Sequence, residues 1–552
     1  MPDCISYIKK TISSHATVIT HKDELMPYLR GTEGLEGKAN IIAVVKAYNS
    51  NDVKSLLLLA NELASQSALK FTLYPISTGL NWGYGTSQPP KFDIKVVIVD
   101  LSGLTKIEFD EDLGLVTLEP GVTQQLLSNF IIGEGDNFMV PVTGAGPKCS
   151  IVGNAIERGY GITPYTDHFG AVSAMQGYWA NGRHYCSAIN ELDTSHHKTV
   201  DKTFKWGLGP YLDGLFTQSN FGIVTQMTIR VARKPEKFIS FIIQVPADED
   251  LAIAIPLIQK VLREYEGIVG SINLMDKRRV LSMFAENPNP GEHKVMSSSD
   301  IDKLSKSQQT PSWTIMGSIY GSNGVAKTVK KEIKRIFSTL SCRQVYSDSP
   351  MFKILNAVTN SAPATLFKLI PTLSLIKEQL VSFERGKAIM LGRPNNIALK
   401  LCYWRHKNAK SFSADSLSPG KDGCGILWYA PLVTMKPEII TEYVGFVRAI
   451  CPKFNIEPLI TFTNLKHDCV DSTIPILFDL SDPDAVKDAH NCLKKLVLQG
   501  IELGFIPYRL NIDQQQWLLN AQSPFWQTVN DIKSVVDPNS ILSVGRYNPR
   551  GE

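Results

Sequence analysis

Runs of one charge, paired cysteines and long apolar stretches are all missing from this 552-residue chain. Lys+Arg total 57 against 53 Asp+Glu, a net +4 with neutral histidines, which leaves no basic field for nucleic acid or a membrane surface. The nine cysteines stand singly, with no CxxC pair and one left over in any pairing. That pattern argues for a reducing compartment and against a disulfide framework or a structural zinc. No segment reaches the roughly 18 uninterrupted apolar residues that crossing a bilayer requires, and MPDCISYIKK lacks the apolar stretch of a secretory signal. The expectation is a globular cytoplasmic protein that binds neither nucleic acid nor membrane.

Several catalytic signatures are missing too. There is no HExxH and no GxSxG, and no GxGxxG is complete: after Gly144-Ala145-Gly146 the third slot holds Cys149. His196 and His197 are adjacent, so on a regular element they diverge and share no metal. Gly321–Thr328 (GSNGVAKT) has Ala326 where a phosphate loop places glycine, and reads instead as a strand-to-helix turn.

What is present is core material and glycine-dense loops. The chain is 43% hydrophobic, 20% charged and 9% aromatic, enough apolar residue to bury a large core, and its length corresponds to about two to four domains. Up to about Pro235, short β-type runs (Ile41–Val45, Val96–Asp100, Leu115–Leu118) and one helical stretch, Val53–Leu63, alternate with glycine loops, an α+β pattern. Beyond it, Phe238–Val245, Leu251–Glu266, Trp313–Tyr320 and Val325–Phe337 read as strand, helix, strand, helix. A similar order returns in Ile426–Tyr429, Glu438–Ile450, Leu459–Thr463, Ile474–Leu480 and Asp484–Leu498, and the two units are expected to share one sheet. Glu286–His293, Ser297–Ser312 and Ser411–Gly423 read as polar loops, and the last fifty residues as turn-rich.

Three segments concentrate small residues. Pro75–Gly85 (PISTGLNWGYG) offers free backbone N–H groups and positive φ, the material of an anion nest, or equally of an ordinary turn. Val142–Gly161 with Thr163–His168, and Gly209–Thr225, suggest backbone lying against a large planar ligand, or tight strand packing.

In this order the three segments resemble the flavin domain of the vanillyl-alcohol oxidase and p-cresol methylhydroxylase family, and Ser540–Tyr547 is similar to its closing motif. The resemblance implies a two-domain α+β flavoprotein: a PCMH-type FAD-binding domain over 1–237, an α+β cap over 238–499, and a return of 500–552 to the FAD domain. It implies that Pro75, Ile76, Ser77, Thr78, Gly79, Leu80, Asn81, Trp82 and Gly83 wrap the FAD pyrophosphate. Ser150, Asn154, Glu157, Arg158, Gly159, Gly161, Thr163 and Tyr165 would line the cofactor, Gly222, Ile223 and Val224 would meet the adenine end, and Arg546 the pyrimidine edge of the flavin. Tyr84, Tyr508 and Arg509 would hold a phenolate oxygen, with Trp428 and Tyr429 as an aromatic wall.

Two departures from the family pattern stand out. The loop after Val140-Pro141 continues Val142-Thr143-Gly144-Ala145 with no acid where the family often carries one. Asp471-Ser472-Thr473 occupy the place expected of a histidine or tyrosine that tethers the flavin; His467 comes too early, and Cys149 reads as a bystander. The expectation is dissociable FAD, no metal, and oxidation of a small aromatic alcohol or alkylphenol by hydride transfer, with oxygen or an electron-carrier protein as acceptor. A homodimer is compatible with the family. Two alternatives remain open: a tailoring oxidase acting on a non-phenolic alcohol or amine, and a flavin binder without turnover.

Overall fold

Asn49 accepts a hydrogen bond from the Asp52 amide at 3.0 Å and so starts the helix Ser50–Glu62, whose Val53, Leu56, Leu57 and Ala60 form a buried stripe at helical spacing. That stripe lies on a four-stranded sheet in the order Thr17–Ile19, Ile41–Lys46, Val96–Asp100, Thr72–Ile76, whose last three strands run parallel. The architecture comes from a computed structural model that describes residues 3–34, 39–90, 94–198, 200–361, 371–464 and 466–549. A second, antiparallel sheet follows in the order Ile107–Asp110, Leu115–Leu118, Gly222–Arg230, Val172–Trp179, His184–Cys186.

The middle of the chain builds an eight-stranded antiparallel sheet: Arg343–Tyr346, Lys237–Val245, Trp313–Gly321, Ile272–Asp276, Thr461–Asn464, Cys469–Ser472, Pro431–Thr434, Ile506–Pro507. Successive strand side chains point to opposite faces. Here Ile239, Phe241, Ile243, Ile272, Leu274, Ile315 and Phe462 enter one core with the helices Leu251–Glu264, Asn323–Ile336, Pro437–Ile450 and Pro483–Glu502. Their alternates form two cross-strand rows on the other face. One row is Ile242, Met316, Asn273, Thr463 and Asp471; the next is Gln244, Thr314, Met275 and Thr461.

The chain's end returns to its first sheet. Leu73 donates to the Ile541 carbonyl at 2.7 Å and Ser543 donates to the Leu73 carbonyl at 2.8 Å, so the closing segment lies beside the strand Thr72–Ile76. Asp537, fully buried, receives the amides of Ile541 and Leu542 at 2.9 and 3.0 Å and pairs with Lys533 at 2.5 Å. Lys533 in turn donates to the carbonyls of Asn220 at 2.6 Å and Leu542 at 3.1 Å.

Three sequence expectations change. Ser297–Ser312 is not a loop: Ser297 caps a helix, Ser298–Gln308, in which only Ile301 and Ser305 are buried, too narrow a stripe to register as apolar periodicity. The C-terminal fifty residues contain the helix Pro524–Val536, and the helices Pro350–Ser361 and Pro371–Met390 also went unread. Cys424–Tyr429 and Ile474–Asp479 pair with one another as a separate ribbon rather than joining the large sheet. Among the described residues no helix is long and apolar enough to cross a membrane.

Removing Asp537 leaves a buried ammonium without its counter-charge. Asp537→Ala is expected to lower stability by about 3 kcal/mol or more, read as a fall in the urea midpoint; a shift within error would remove this pair as the anchor of the closing segment.

Candidate active site

Between the glycine loops and the polar rows of the large sheet lies a cavity of about 600 Å3, within the range of small-molecule and cofactor sites. Its wall brings together residues from both ends and the middle of the chain: Pro75–Trp82, Tyr84, Ser150, Asn154, Glu157, Gly159, Gly161, Trp428, Tyr508, Arg509 and Arg546, all expected at a site.

The glycine loop leaves the strand Thr72–Ile76, and among the described residues the amides of Ser77 through Trp82 meet no protein acceptor. Gly79 has φ +68°, open to glycine at no steric cost. Opposite it, Ser150 caps the helix Ile151–Ile156, and a Cβ on Gly153 would lie 2.4 Å from Ser77 Oγ, so the two segments touch because Gly153 has no side chain. The nest is nevertheless only partly free. Glu33, buried, already receives the amides of Gly83 at 3.2 Å and Gly85 at 3.1 Å.

Arg546 is delivered by the closing segment and forms an ion pair with Glu157, whose other oxygen accepts the Tyr547 hydroxyl at 3.2 Å. Its Nε is buried without a partner. Unbonded amides, a glycine-permitted close approach and an unsatisfied guanidinium N–H suit a pyrophosphate and the electron-poor ring of a flavin.

The second cluster joins Tyr84, Tyr508 and Arg509. The Arg509 guanidinium carbon stands 4.8 Å from the centre of the Tyr84 ring and 5.5 Å from that of Tyr508. Arg509 is buried, donates through Nη2 to the Glu157 carbonyl and keeps Nε unpaired. Tyr84 stacks at 6.3 Å on Trp428, which is pinned by its indole N–H to the Trp82 carbonyl at 2.8 Å; Tyr160 tilts against Tyr508 at 5.7 Å. Burial raises both Tyr84 and Tyr508 above the ordinary phenol range, with the Arg509 charge opposing, so both are hydroxyl donors at neutral pH.

Sequence reasoning weighs Asp471 only as a tether, and the structure gives it another place. It lies in the row that faces the cavity, opposite Thr463. Burial lifts its carboxyl to about 7, against the pull of Arg509 and a hydrogen bond to Tyr508, and its Oδ1 has no partner. Strand alternation through Val470, Asp471 and Ser472 was the available signal; the pairing with Thr463, which turns Asp471 toward the cavity, is a long-range fact.

Other expected residues sit off the cavity wall. Gly83 is committed to Thr32 and Glu33, and Arg158 turns to Thr217 at 3.1 Å. Thr163 is buried and Tyr165 exposed, neither on the wall. Gly222, Ile223 and Val224 are paired with Trp179, Tyr178 and Gly177 inside the second sheet. Tyr429 alternates away from Trp428 into the cap core, its hydroxyl donating to the Phe505 carbonyl at 3.3 Å. Cys149 does reach the cavity, but burial raises its thiol to about 12, leaving it neutral; His467 does not reach it. Val142, Thr143, Gly144 and Ala145 line the cavity, still without an acid.

Residues 41–185 match the model of an FAD binding domain. The chain is 26% identical over 523 residues to 1'-carboxy-chondrochloren decarboxylase of Chondromyces crocatus, covering 93% of this chain and 91% of that protein. It is 25% identical over 539 residues to the 4-cresol dehydrogenase (hydroxylating) flavoprotein subunit of Pseudomonas putida, covering 96% and 92%. Its fold superposes on p-cresol methylhydroxylase with substrate bound at a TM-score of 0.83, with 24% identity, 99% of this chain and 96% of that one.

The Asp471 carboxyl titrates higher in the folded chain than the roughly 3.9 of an unfolded one, so the native state holds the proton more tightly. Its contribution is intact below about pH 4 and lost as pH rises toward about 7. Asp471→Asn is expected to shrink the fall in urea midpoint between about pH 5 and pH 8; an unchanged fall would show that Asp471 titrates normally.

Proposed function

Starting from the chain's membership of the vanillyl-alcohol oxidase and p-cresol methylhydroxylase family, we propose that this FAD-dependent oxidoreductase oxidises a small 4-substituted phenol. The observation that carries the reading is the convergence of Tyr84, Tyr508 and the Arg509 guanidinium on one buried stretch of cavity wall. Two hydroxyls and a fixed cation suit one oxygen that becomes negative.

The side chains have separable tasks in this reading. Tyr84, Tyr508 and Arg509 hold the phenol oxygen and stabilise it as phenolate. Asp471, whose unsatisfied oxygen needs a donor, takes the phenol proton. The phenolate pushes electron density toward its para substituent, which weakens the benzylic C–H bond toward loss of hydride. Trp428, held on Trp82, keeps the ring flat against the site and excludes water. FAD, when bound, would supply a two-electron acceptor, at its N5, for that hydride. Pro75–Trp82 would hold its pyrophosphate and Arg546 the pyrimidine edge of its ring.

The cofactor is FAD, and we take its attachment to be non-covalent, because Asp471, Ser472 and Thr473 stand where a tether is expected and the Cys149 thiol is neutral. The division into an FAD-binding part, 1–237 with 500–552, and a cap, 238–499, is supported by the closing segment beside Leu73 and the large sheet built mainly between 237 and 507. Molecular oxygen or an electron-carrier protein would serve as acceptor. A second reading, tailoring of a non-phenolic intermediate, draws on the relative named as a decarboxylase.

Anaerobic addition of 4-alkylphenols is expected to bleach the flavin band; bleaching by non-phenolic alcohols or amines alone would favour the second reading. Arg509→Ala should lower kcat/KM for a phenol by about 100-fold or more with flavin still bound, and near-normal turnover would remove Arg509 from the site. Acid precipitation should leave the yellow colour in the supernatant, whereas a yellow pellet would mean a covalent link.

A further inference from the structure

Arg279 stands in the first turn of the helix Lys277–Phe284, directly after the strand Ile272–Asp276 of the large sheet. Its Nε donates to Thr461 Oγ1 at 2.8 Å, so the side chain lies over the polar face of the sheet. The residue is only 9% exposed and lines the cavity. Nη1 is buried and meets no acceptor, and among the described residues no carboxylate forms an ion pair with this guanidinium.

The neighbouring groups leave its charge standing. Asp276 Oδ1 accepts the amides of Arg279 at 2.9 Å and Ile460 at 3.2 Å, capping the helix rather than meeting the guanidinium. Burial raises the Cys402 thiol to about 12, so it carries no charge at neutral pH. Glu378 also lines the cavity but from an exposed position. Burial pulls Arg279 down only to about 10, which keeps it cationic. Asp276, from the start of the same helix, offsets part of the burial cost, but a guanidinium with an unsatisfied N–H facing a cavity still calls for an anion.

Its location says what carries that anion. Thr461 and Asp471 are diagonal neighbours on adjacent strands, since Thr463 is the direct partner of Asp471; such positions lie about 7–8 Å apart. Arg279 therefore shares the polar face of the sheet with Asp471, held by Thr461 one diagonal step away from it, and lines the same cavity as Tyr84, Tyr508 and Arg509. We propose that Arg279, oriented by Thr461, binds a carboxylate on the side chain of the substrate, so that the preferred substrate is an anionic aromatic acid and not a bare alkylphenol. This rests on the phenol reading for the far end of the molecule, while the anion site itself stands on Arg279 alone.

The test uses holoenzyme reduced anaerobically with dithionite, so that no probe is consumed, and calorimetric titration. The probes are 3-(4-hydroxyphenyl)propanoate, its primary amide, and 3-phenylpropanoate. In the wild type the acid is expected to bind at least about tenfold tighter than the amide. Arg279→Gln and Arg279→Met should erase that ratio while leaving the amide within about twofold, and Arg279→Lys should keep part of it. Melting temperature and flavin content control for folding. An acid-to-amide ratio near one in the wild type, or the same ratio in wild type and Arg279→Gln, overturns the proposal, as does loss of flavin instead of loss of carboxylate preference. If the phenol reading alone is wrong, 3-phenylpropanoate will bind as well as its hydroxylated analogue and still depend on Arg279.

Discussion

A strand shows successive side chains to opposite faces, and in the large sheet both faces are used. Ile272 and Leu274 belong to the helix-covered core, while Asn273 and Met275 between them belong to the cavity. Because every pairing in this sheet is antiparallel and in register, the alternates of five strands line up as two rows. A one-residue slip would put Phe462 in the cavity and Thr463 in the core. Position in the active site and integrity of the core are therefore the same constraint.

On that platform, charge is left deliberately incomplete. Arg509 and Arg546 each keep a buried Nε without an acceptor, and Asp471 keeps a bare oxygen. Buried polar groups are ordinarily satisfied, and the closing segment obeys: Asp537, Lys533 and the amides of Ile541 and Leu542 close one another. The closing segment thus uses its charges to hold the fold, while Arg509, Arg546 and Asp471 keep open valences facing the cavity.

The legibility of these features in the sequence follows the range of the interactions. Strands with strong local signals, such as Val96–Asp100 and Leu115–Leu118, match the structure residue for residue. The glycine loop, Tyr508-Arg509 and Arg546 were readable because several motifs in one order point to one family. Polar helices such as Ser298–Gln308 were not, since their apolar face is too thin to set a period. Asp471 and Arg279 were hidden for a different reason. An aspartate and an arginine in ordinary surroundings carry no mark in sequence, and their meaning arises only when Thr463 and Thr461 bring them to one face.

The carboxylate of Glu33 has a further consequence. It bonds the amides of Gly83 and Gly85 and is bonded by the Thr32 hydroxyl at 3.0 Å, while the Glu33 carbonyl accepts from His490 at 2.7 Å. The far half of the glycine loop is thus clamped by the chain's own acid and tied to the helix Pro483–Glu502. Tyr84 sits between those two amides, so the clamp fixes the backbone that carries its ring, while the amides of Ser77 through Trp82 in the near half stay unbonded among the described residues.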